Sequence, residues 1–313
     1  NDHIRRNHYA QLLMSLCLMP ADGEYALTPG HVLQTKNHIH LALMKRLEGR
    51  NKADLSGTWV PVVLRAKIGS DLMSRKSWSF SEPGKPLDEF IPRECLGYFG
   101  LQGLPTAGSE AVKPLGRTDG PRMTGKLEWD APHVLDIRDS SHQWFDPTAR
   151  TLHLLAAARV QRSNVAVIAR LVSDEMDKMT IEAESMPGAA PTALLSVPGG
   201  NLKFDIIYDD DTHLYWLVSN LASGSLHRTD KAAPPDDRLR IQLHFSRNLV
   251  DWCFACCVDA GLSTKQLRHF CSMAVHGNDL YVVSCSGQTK PGNRSYTDRI
   301  TFHTIPAFRE LVY

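Results

Sequence analysis

The sequence predicts an all-β chain and, within that class, a β-propeller of five blades, with six as the alternative. Three observations lead there. Short runs of strand-forming residues, each closed by a polar turn, recur from Tyr25 to the C-terminus. Runs containing aromatic residues return at long, similar intervals, which favours radial repetition over a β-sandwich. Dividing 313 residues among five blades leaves about 63 for each, enough for four strands and their turns.

Residues 1–24 read as an N-terminal segment, largely apolar from Ala10 to Met19, that forms either a short helix or a closing strand. Residues 25–313 read as a single propeller domain. Its first blade is assembled from Val32–Gln34, Ile39–Lys45, Trp59–Arg65 and Ser77–Phe80, four alternating or β-branched runs in about fifty residues. Residues Glu82–Pro132 are rich in glycine and proline and weakly periodic, as in a poorly formed blade or a long loop over one face. Strand signals return at Val134–Arg138, Leu152–Arg159, Val165–Val172 and Met179–Glu182, a second clear blade. A third runs through Leu202–Tyr208, His213–Ser219, Arg240–Phe245 and Trp252–Ala255. The last comprises Ser272–Val275, Leu280–Ser284 and Arg299–His303, with Glu310–Tyr313 as a final strand.

Composition removes several classes of function. With 35 Lys and Arg against 34 Asp and Glu, no net field draws the chain toward nucleic acid or an anionic membrane. No apolar run approaches the roughly 18–20 residues of a membrane helix. Seven cysteines (Cys17, Cys95, Cys253, Cys256, Cys257, Cys271 and Cys285) are an odd number, so a complete set of disulfides is excluded and buried thiols are expected. The triplet Cys253, Cys256 and Cys257 sits inside an apolar run without a turn to gather ligands, and the histidines form no compact ligand cluster. No metal or other cofactor is expected. A phosphate loop, a dinucleotide fingerprint and a nucleophile elbow are all missing from the sequence.

At Ser246-Arg-Asn-Leu-Val-Asp-Trp252, and again at Ser70-Asp-Leu-Met-Ser-Arg-Lys-Ser-Trp78, Ser and Asp or Asn side chains are spaced to hold a turn against backbone amides, with a Trp to pack beside it. These turns are similar to a degenerate Asp-box. With Asp139–Pro147, Arg150–Leu154, Pro198–Phe204, Tyr208–Trp216 and Arg268–Gly287, the chain from Trp59 to Tyr313 resembles bacterial sialidase-like and other exo-glycosidase-like propeller proteins. The resemblance implies a propeller acting on glycans, and it aligns Glu128 with a glutamate lining their cleft.

Glycoside hydrolysis needs carboxylates flanking the scissile bond, or an acid–base Asp with a Tyr nucleophile. Glu128 immediately precedes a strand. Asp136 and Arg138 alternate with Leu135 and Ile137, so they share a face, and Asp139 and His142 follow in the next loop. Asp205 is a charge in an otherwise apolar strand, with Lys203 on its face as one source of compensation. Arg268 and His269 precede the expected innermost strand of the last blade, where Arg could clamp a sugar carboxylate and His could exchange a proton. Tyr296 and Asp298 lie before its neighbour. The catalytic candidates are therefore Glu128, Asp136, Asp205 and His269. The substrate-binding candidates are Arg138, Asp139, His142, Arg268, Tyr296 and Asp298.

The expected function is that of an exo-acting glycoside hydrolase on a terminal acidic sugar. A polysaccharide lyase acting on uronate-containing glycans and a non-catalytic carbohydrate-binding propeller are the alternatives. The expected partner is a glycan or oligosaccharide, with neither nucleic acid nor membrane insertion. Oligomeric state and localisation stay open.

Overall fold

The structure is a computed structural model that describes residues 23–27, 32–47, 59–91, 128–158, 164–174, 176, 178–185, 191–221, 238–262, 266–288 and 297–313. The fold is all-β: among the described residues four antiparallel sheets follow one another along the chain, each wound mainly as a meander, the order expected of propeller blades. Most of the N-terminal segment, Cys17, Cys95, Tyr296 and the centre of the glycine- and proline-rich region lie outside the described residues.

Sheet 1 contains β1 (Tyr25–Leu27), β2 (Leu33–Gln34), β3 (His38–Arg46), β4 (Trp59–Lys67) and β5 (Trp78–Phe80). Sheet 2 contains β6 (Trp129–Leu135), β7 (Thr151–Ala158), β8 (Val165–Ser173), β9 (Met179–Ser185), β10 (Pro191–Thr192) and β11 (Leu194–Ser196). Sheet 3 is the four-stranded run of β12 (Asp205–Asp209), β13 (Leu214–Asn220), β14 (Arg240–Ser246) and β15 (Cys253–Ala260). Sheet 4 is the three-stranded run of β16 (Gln266–His276), β17 (Asp279–Gln288) and β18 (Arg299–Ile305).

The chain divides into two compact units. The first takes in the described residues up to Ile91 and those of 128–156 and 167–193; the second takes those of 157–166 and 194–313. In the first, Leu43, Val62 and Leu64 pack with Tyr25, Trp78 and Phe80. In the second, alternate residues of β13 and β14 (Trp216, Val218, Ile241, Leu243 and Phe245) meet Cys271 and Met273 of β16 and Leu280 and Val282 of β17. The period of two along each strand makes this possible, because one face of each sheet is apolar and buried.

Both polar turns singled out in the sequence form as hydrogen-bonded turns. Asn248 Oδ1 accepts the amides of Val250 and Asp251, and the Trp252 indole donates to the Leu249 carbonyl. Asp71 Oδ1 accepts the Met73 amide, and the Trp78 indole donates to Leu72.

Three local expectations change. The second blade's first strand ends at Leu135, so Asp136 and Arg138 belong to the loop after it. β16 starts at Gln266, which places Arg268 and His269 within the strand. The last residues form a 3-10 turn, Phe308–Leu311, in place of a strand, because Phe308 buries itself edge-on to Trp216 with ring centres 4.8 Å apart. At the turn after β12 the Arg309 guanidinium pairs with Asp209 and Asp211.

Candidate functional site

In the second unit the sequence candidates gather along the first half of β16. The strand does not run regularly there. Its pairing with β17 slips between His269 and Ser272, and Phe270 takes a left-handed conformation, φ 53°. For an aromatic residue that costs on the order of 1–3 kcal/mol and persists only where the surroundings impose it. The bulge lets Arg268, His269 and Phe270 depart from simple alternation.

Each neighbour has a defined place. Arg268 donates through Nε to Asp259 Oδ2 on β15 and through Nη1 to its neighbour's carbonyl. Its own carbonyl accepts the Asn220 carboxamide, which also donates to Arg240. His269 is 1 % exposed. Arg238 Nη1 lies 3.2 Å from His269 Nδ1; an arginine only donates, so Nδ1 is the acceptor and the ring proton sits on Nε2. That Nε2 is buried and has no hydrogen-bond partner among the described residues. Burial, then the charges of Arg238 and Lys203, push the His269 pKa down to about 3, so the imidazole is neutral through the physiological range. Lys203 Nζ and Arg238 Cζ stand 5.1 Å and 5.4 Å from the centre of the Phe270 ring.

Asp205 opens β12 at 2 % exposure. Its Oδ1 accepts the Ile206 amide, while Oδ2 accepts the Ser272 hydroxyl and the Met273 amide at 2.8 Å. The carboxylate therefore joins β12 to β16 just past the bulge. The nearby glycines serve close packing. A side chain at Gly199, φ 72°, would meet the Asn220 carbonyl at 2.4 Å, and one at Gly200 would meet the backbone of Val165 and Ala166 at 2.8 Å.

Beyond Arg268, the Thr301 hydroxyl lies 2.7 Å from both Ser284 and Ser286. His303 Nε2 lies 3.2 Å from Thr301 and 3.8 Å from Asp259. Both contacts use the same ring nitrogen, so this set cannot relay a proton as a nucleophile–His–Asp triad does. Asp298 is exposed and pairs with Arg299 at 3.2 Å. A shallow pocket is lined by Gln266, Arg268, Gly287, Gln288 and Arg299.

In the first unit, Glu128 is half-buried at the entry to β6, where the Trp129 indole donates to the Lys85 carbonyl and stacks edge-on to Phe90 at 4.9 Å. Asp136 lies at the far end of the same strand, in a 3.3 Å ion pair with Arg138. Eight residues of extended chain put Glu128 and Asp136 roughly 25 Å apart, far beyond the roughly 5–10 Å that paired glycosidase carboxylates span. Asp139 holds a turn by accepting the Ser141 amide and hydroxyl. The buried His142 accepts the Trp144 amide on Nδ1. Trp144 in turn donates to the Ser185 carbonyl and stacks on His153 at 5.9 Å, and His153 Nε2 meets Glu184 at 2.6 Å.

Arg238, Phe270, Asp259 and Asn220 were not among the sequence candidates. The signal for Arg238 was its position just before β14, two residues ahead of Arg240. Phe270 carried none, since a left-handed aromatic has no sequence signature. Among the described residues no group of three or more His, Cys, Asp or Glu could hold a metal ion, and no helix is long and apolar enough to cross a membrane.

No family model and no curated protein matches the chain. It is similar to several solved structures. One is the β-fructofuranosidase of Schwanniomyces occidentalis complexed with fructosyl-erythritol, at 10% identity over 90% of this chain and 48% of that one, TM-score 0.46. Another is the GH43_1 enzyme of Xanthomonas citri complexed with xylotriose, at 12% identity over 94% and 75%, TM-score 0.45. A third is the levansucrase of Gluconacetobacter diazotrophicus, at 11% identity over 91% and 64%, TM-score 0.42. The chain spans about half the length of the first. None of the three is a sialidase by name, and the sialidase-like, Asp-box resemblance is corrected accordingly. The two turns that suggested it are local hydrogen-bonded devices, which unrelated β proteins can build from the same residues.

Proposed function

We propose that this chain is an exo-acting glycoside hydrolase that takes glycans ending in an acidic sugar. The observation that supports this best is the bulge of β16, where a neutral, buried imidazole stands beside Arg238, Lys203 and Arg268. Fixed donors and positive charge beside an aromatic ring suit the hydroxyls and carboxylate of such a sugar. In this reading Arg268 and Asp298 contact sugar. His269 serves as a hydrogen-bond donor through Nε2, since its depressed pKa makes it a poor proton store. Asp205 holds β16 in place. Within the first unit, and separately from that set, Glu128 is proposed as a carboxylic acid and Asp136, Arg138, Asp139 and His142 as sugar contacts.

One observation favours a second reading, a sugar-binding propeller without turnover. Two carboxylates beside this part of β16, Asp205 and Asp259, are both engaged by protein donors. Incubation with a panel of uronic-acid and neutral oligosaccharides, read by mass spectrometry, separates the readings. A product that has gained water at the cleaved bond supports hydrolysis. An unsaturated product would establish elimination instead, and binding without any product would establish the second reading.

A further inference from the structure

We infer that the open end of sheet 4 is a subsite for a neutral sugar residue, built from Gln266, Arg268, Gln288 and Arg299. The inference deepens the glycan reading above and rests on it: the residue held here is a second, uncharged unit of the same glycan.

The four side chains come together through strand register. Gln266 stands opposite Gln288, and Arg268 stands opposite Ser286, which in turn faces Arg299 on β18. Residues opposite one another on neighbouring strands project from the same face of a sheet. Three strands therefore deliver two guanidinium groups and two carboxamides to one place, and the shallow pocket opens there. The same face changes character along β17. Leu280 and Val282 belong to the apolar core, whereas the Ser284 and Ser286 hydroxyls both meet Thr301 at 2.7 Å. The face thus turns polar toward the pocket.

Both cations are balanced from within the protein. Arg268 Nε donates to Asp259, and Arg299 Nε lies 3.2 Å from Asp298 Oδ1. What stays available is hydrogen-bonding capacity. Arg268 uses Nε and Nη1, Arg299 uses Nε, and Gln266 uses Oε1 to accept the Leu262 amide. Among the described residues, Arg268 Nη2, both terminal nitrogens of Arg299, the Gln266 NH2 group and the Gln288 carboxamide have no hydrogen-bond partner. A pocket rich in donors and without net charge suits a ligand that offers several close acceptor oxygens and no formal charge, which describes the adjacent hydroxyls of a neutral sugar ring. A sugar carboxylate gains less here, because it must compete with Asp259 and Asp298 for the same guanidinium groups. Being shallow, the pocket grips one residue by its edge.

The test is ligand-observed NMR of the full chain with the methyl glycosides of glucose, galactose, xylose, arabinose and fructose, and with methyl β-D-glucuronide, at about 50 mM and about 500 mM salt. At least one neutral glycoside should bind, with an affinity that does not change with salt. Arg299→Ala and Gln288→Ala alter exposed side chains and should each weaken that binding about fivefold. Thermal melting shows that each variant has folded. Neutral glycosides that bind the variants as tightly as the parent overturn the subsite and leave the glycan reading standing. Glucuronide bound more tightly than every neutral glycoside, and weakened by the same two substitutions, overturns the neutral assignment. Absence of binding by all six glycosides overturns the subsite and the glycan reading together. Neutral binding that is lost in the variants, without turnover of any glycan, retains the subsite and overturns the hydrolase.

Discussion

Arg309 closes onto Asp209 across one hundred residues of chain, its Nε donating to Oδ2 at 2.9 Å and its Nη2 to Oδ1 at 2.6 Å. Nη2 also meets Asp211 at 2.9 Å, and Nη1 donates to the Gly277 carbonyl. The C-terminal turn is thereby fastened to the β12–β13 hairpin. Burial alone would raise the pKa of Asp209, but the Arg309 and Thr212 hydrogen bonds outweigh it and hold the carboxyl below its usual range. A depressed carboxylate contributes stability that is fully present above its unfolded pKa and lost as pH falls through the folded one. Arg309→Met should therefore cost about 2–3 kcal/mol at neutral pH and move the acid limb of unfolding upward. Urea titrations between about pH 3 and pH 7 would show an unchanged acid limb if the fork is dispensable.

The His153–Glu184 pair is the first unit's counterpart, and it is more deeply buried. Burial opposes the charge on Glu184, yet the His153 hydrogen bond and the Ser185 amide together bring its pKa below the ordinary value. Removing one partner strands the other away from water. Glu184→Leu is expected to lose about 3 kcal/mol, and the double variant Glu184→Leu with His153→Phe should recover part of that. Thermal melts of the cycle measure the coupling; simple additivity would mean that the pair contributes nothing of its own.

Three buried histidines give the fold a characteristic pH response. His40, with a pKa lowered to about 4 by burial and by His38 and Arg65, and His244, lowered to about 4 by burial, join His269 at about 3. Below the unfolded value of 6.5 the unfolded chain takes up protons that the folded chain refuses, so stability should fall steadily from about pH 6.5 toward pH 4. His244→Phe, beside Phe254 at 5.6 Å, should flatten that slope by up to about one proton's worth. A slope identical to the parent's would show that His244 is not neutral in the folded state.

The thiols should sort by position. Cys253 and Cys257 are exposed on β15 and should react with a maleimide in the folded protein. Cys271 is fully buried, with its thiol pushed far up by burial and then by Asp205 and Cys285, and should react only on unfolding. Peptide mapping of labelled native protein reads both expectations.

Asp205→Asn keeps the shape of the β12–β16 joint but removes the charge that accepts from Met273 and Ser272. A cost of about 2 kcal/mol is expected from the loosened bulge. The melting temperature should fall accordingly, with catalytic turnover, where present, falling in parallel. Lost turnover with unchanged stability and binding would assign Asp205 a chemical role instead.

Most of the sheets were legible because their strands are alternating or continuous β-branched and apolar runs: those at Ile39–Lys45, Trp59–Arg65, Val165–Val172 and Leu280–Ser284 each fall within an observed strand. The ends were less legible. Asp136 and Arg138 alternate as a strand would, yet pairing stops at Leu135 and the two close on each other as a local ion pair. Short strands such as β10 and β11 are too brief to show a period. Of the candidate site, the sequence could offer Arg268, His269 and Asp205 because charged residues in apolar strands stand out. It could not offer the relation among Lys203, Arg238 and Phe270, which depends on a register slip and a left-handed residue. Lys203 sits near Asp205 in sequence and pattern, but the Asp205 Oδ2 bonds go to Ser272 and Met273, and Lys203 lies over the ring.

The left-handed backbone at Phe270 makes this position a point where fitness and robustness pull apart. Glycine or asparagine would sit there with less strain, so a library of variants selected only for heat resistance should be enriched in both at residue 270. Under selection that keeps the contact of Lys203 and Arg238 with this ring, phenylalanine should return. The frequency of Phe at that one codon then reports which pressure a population has experienced.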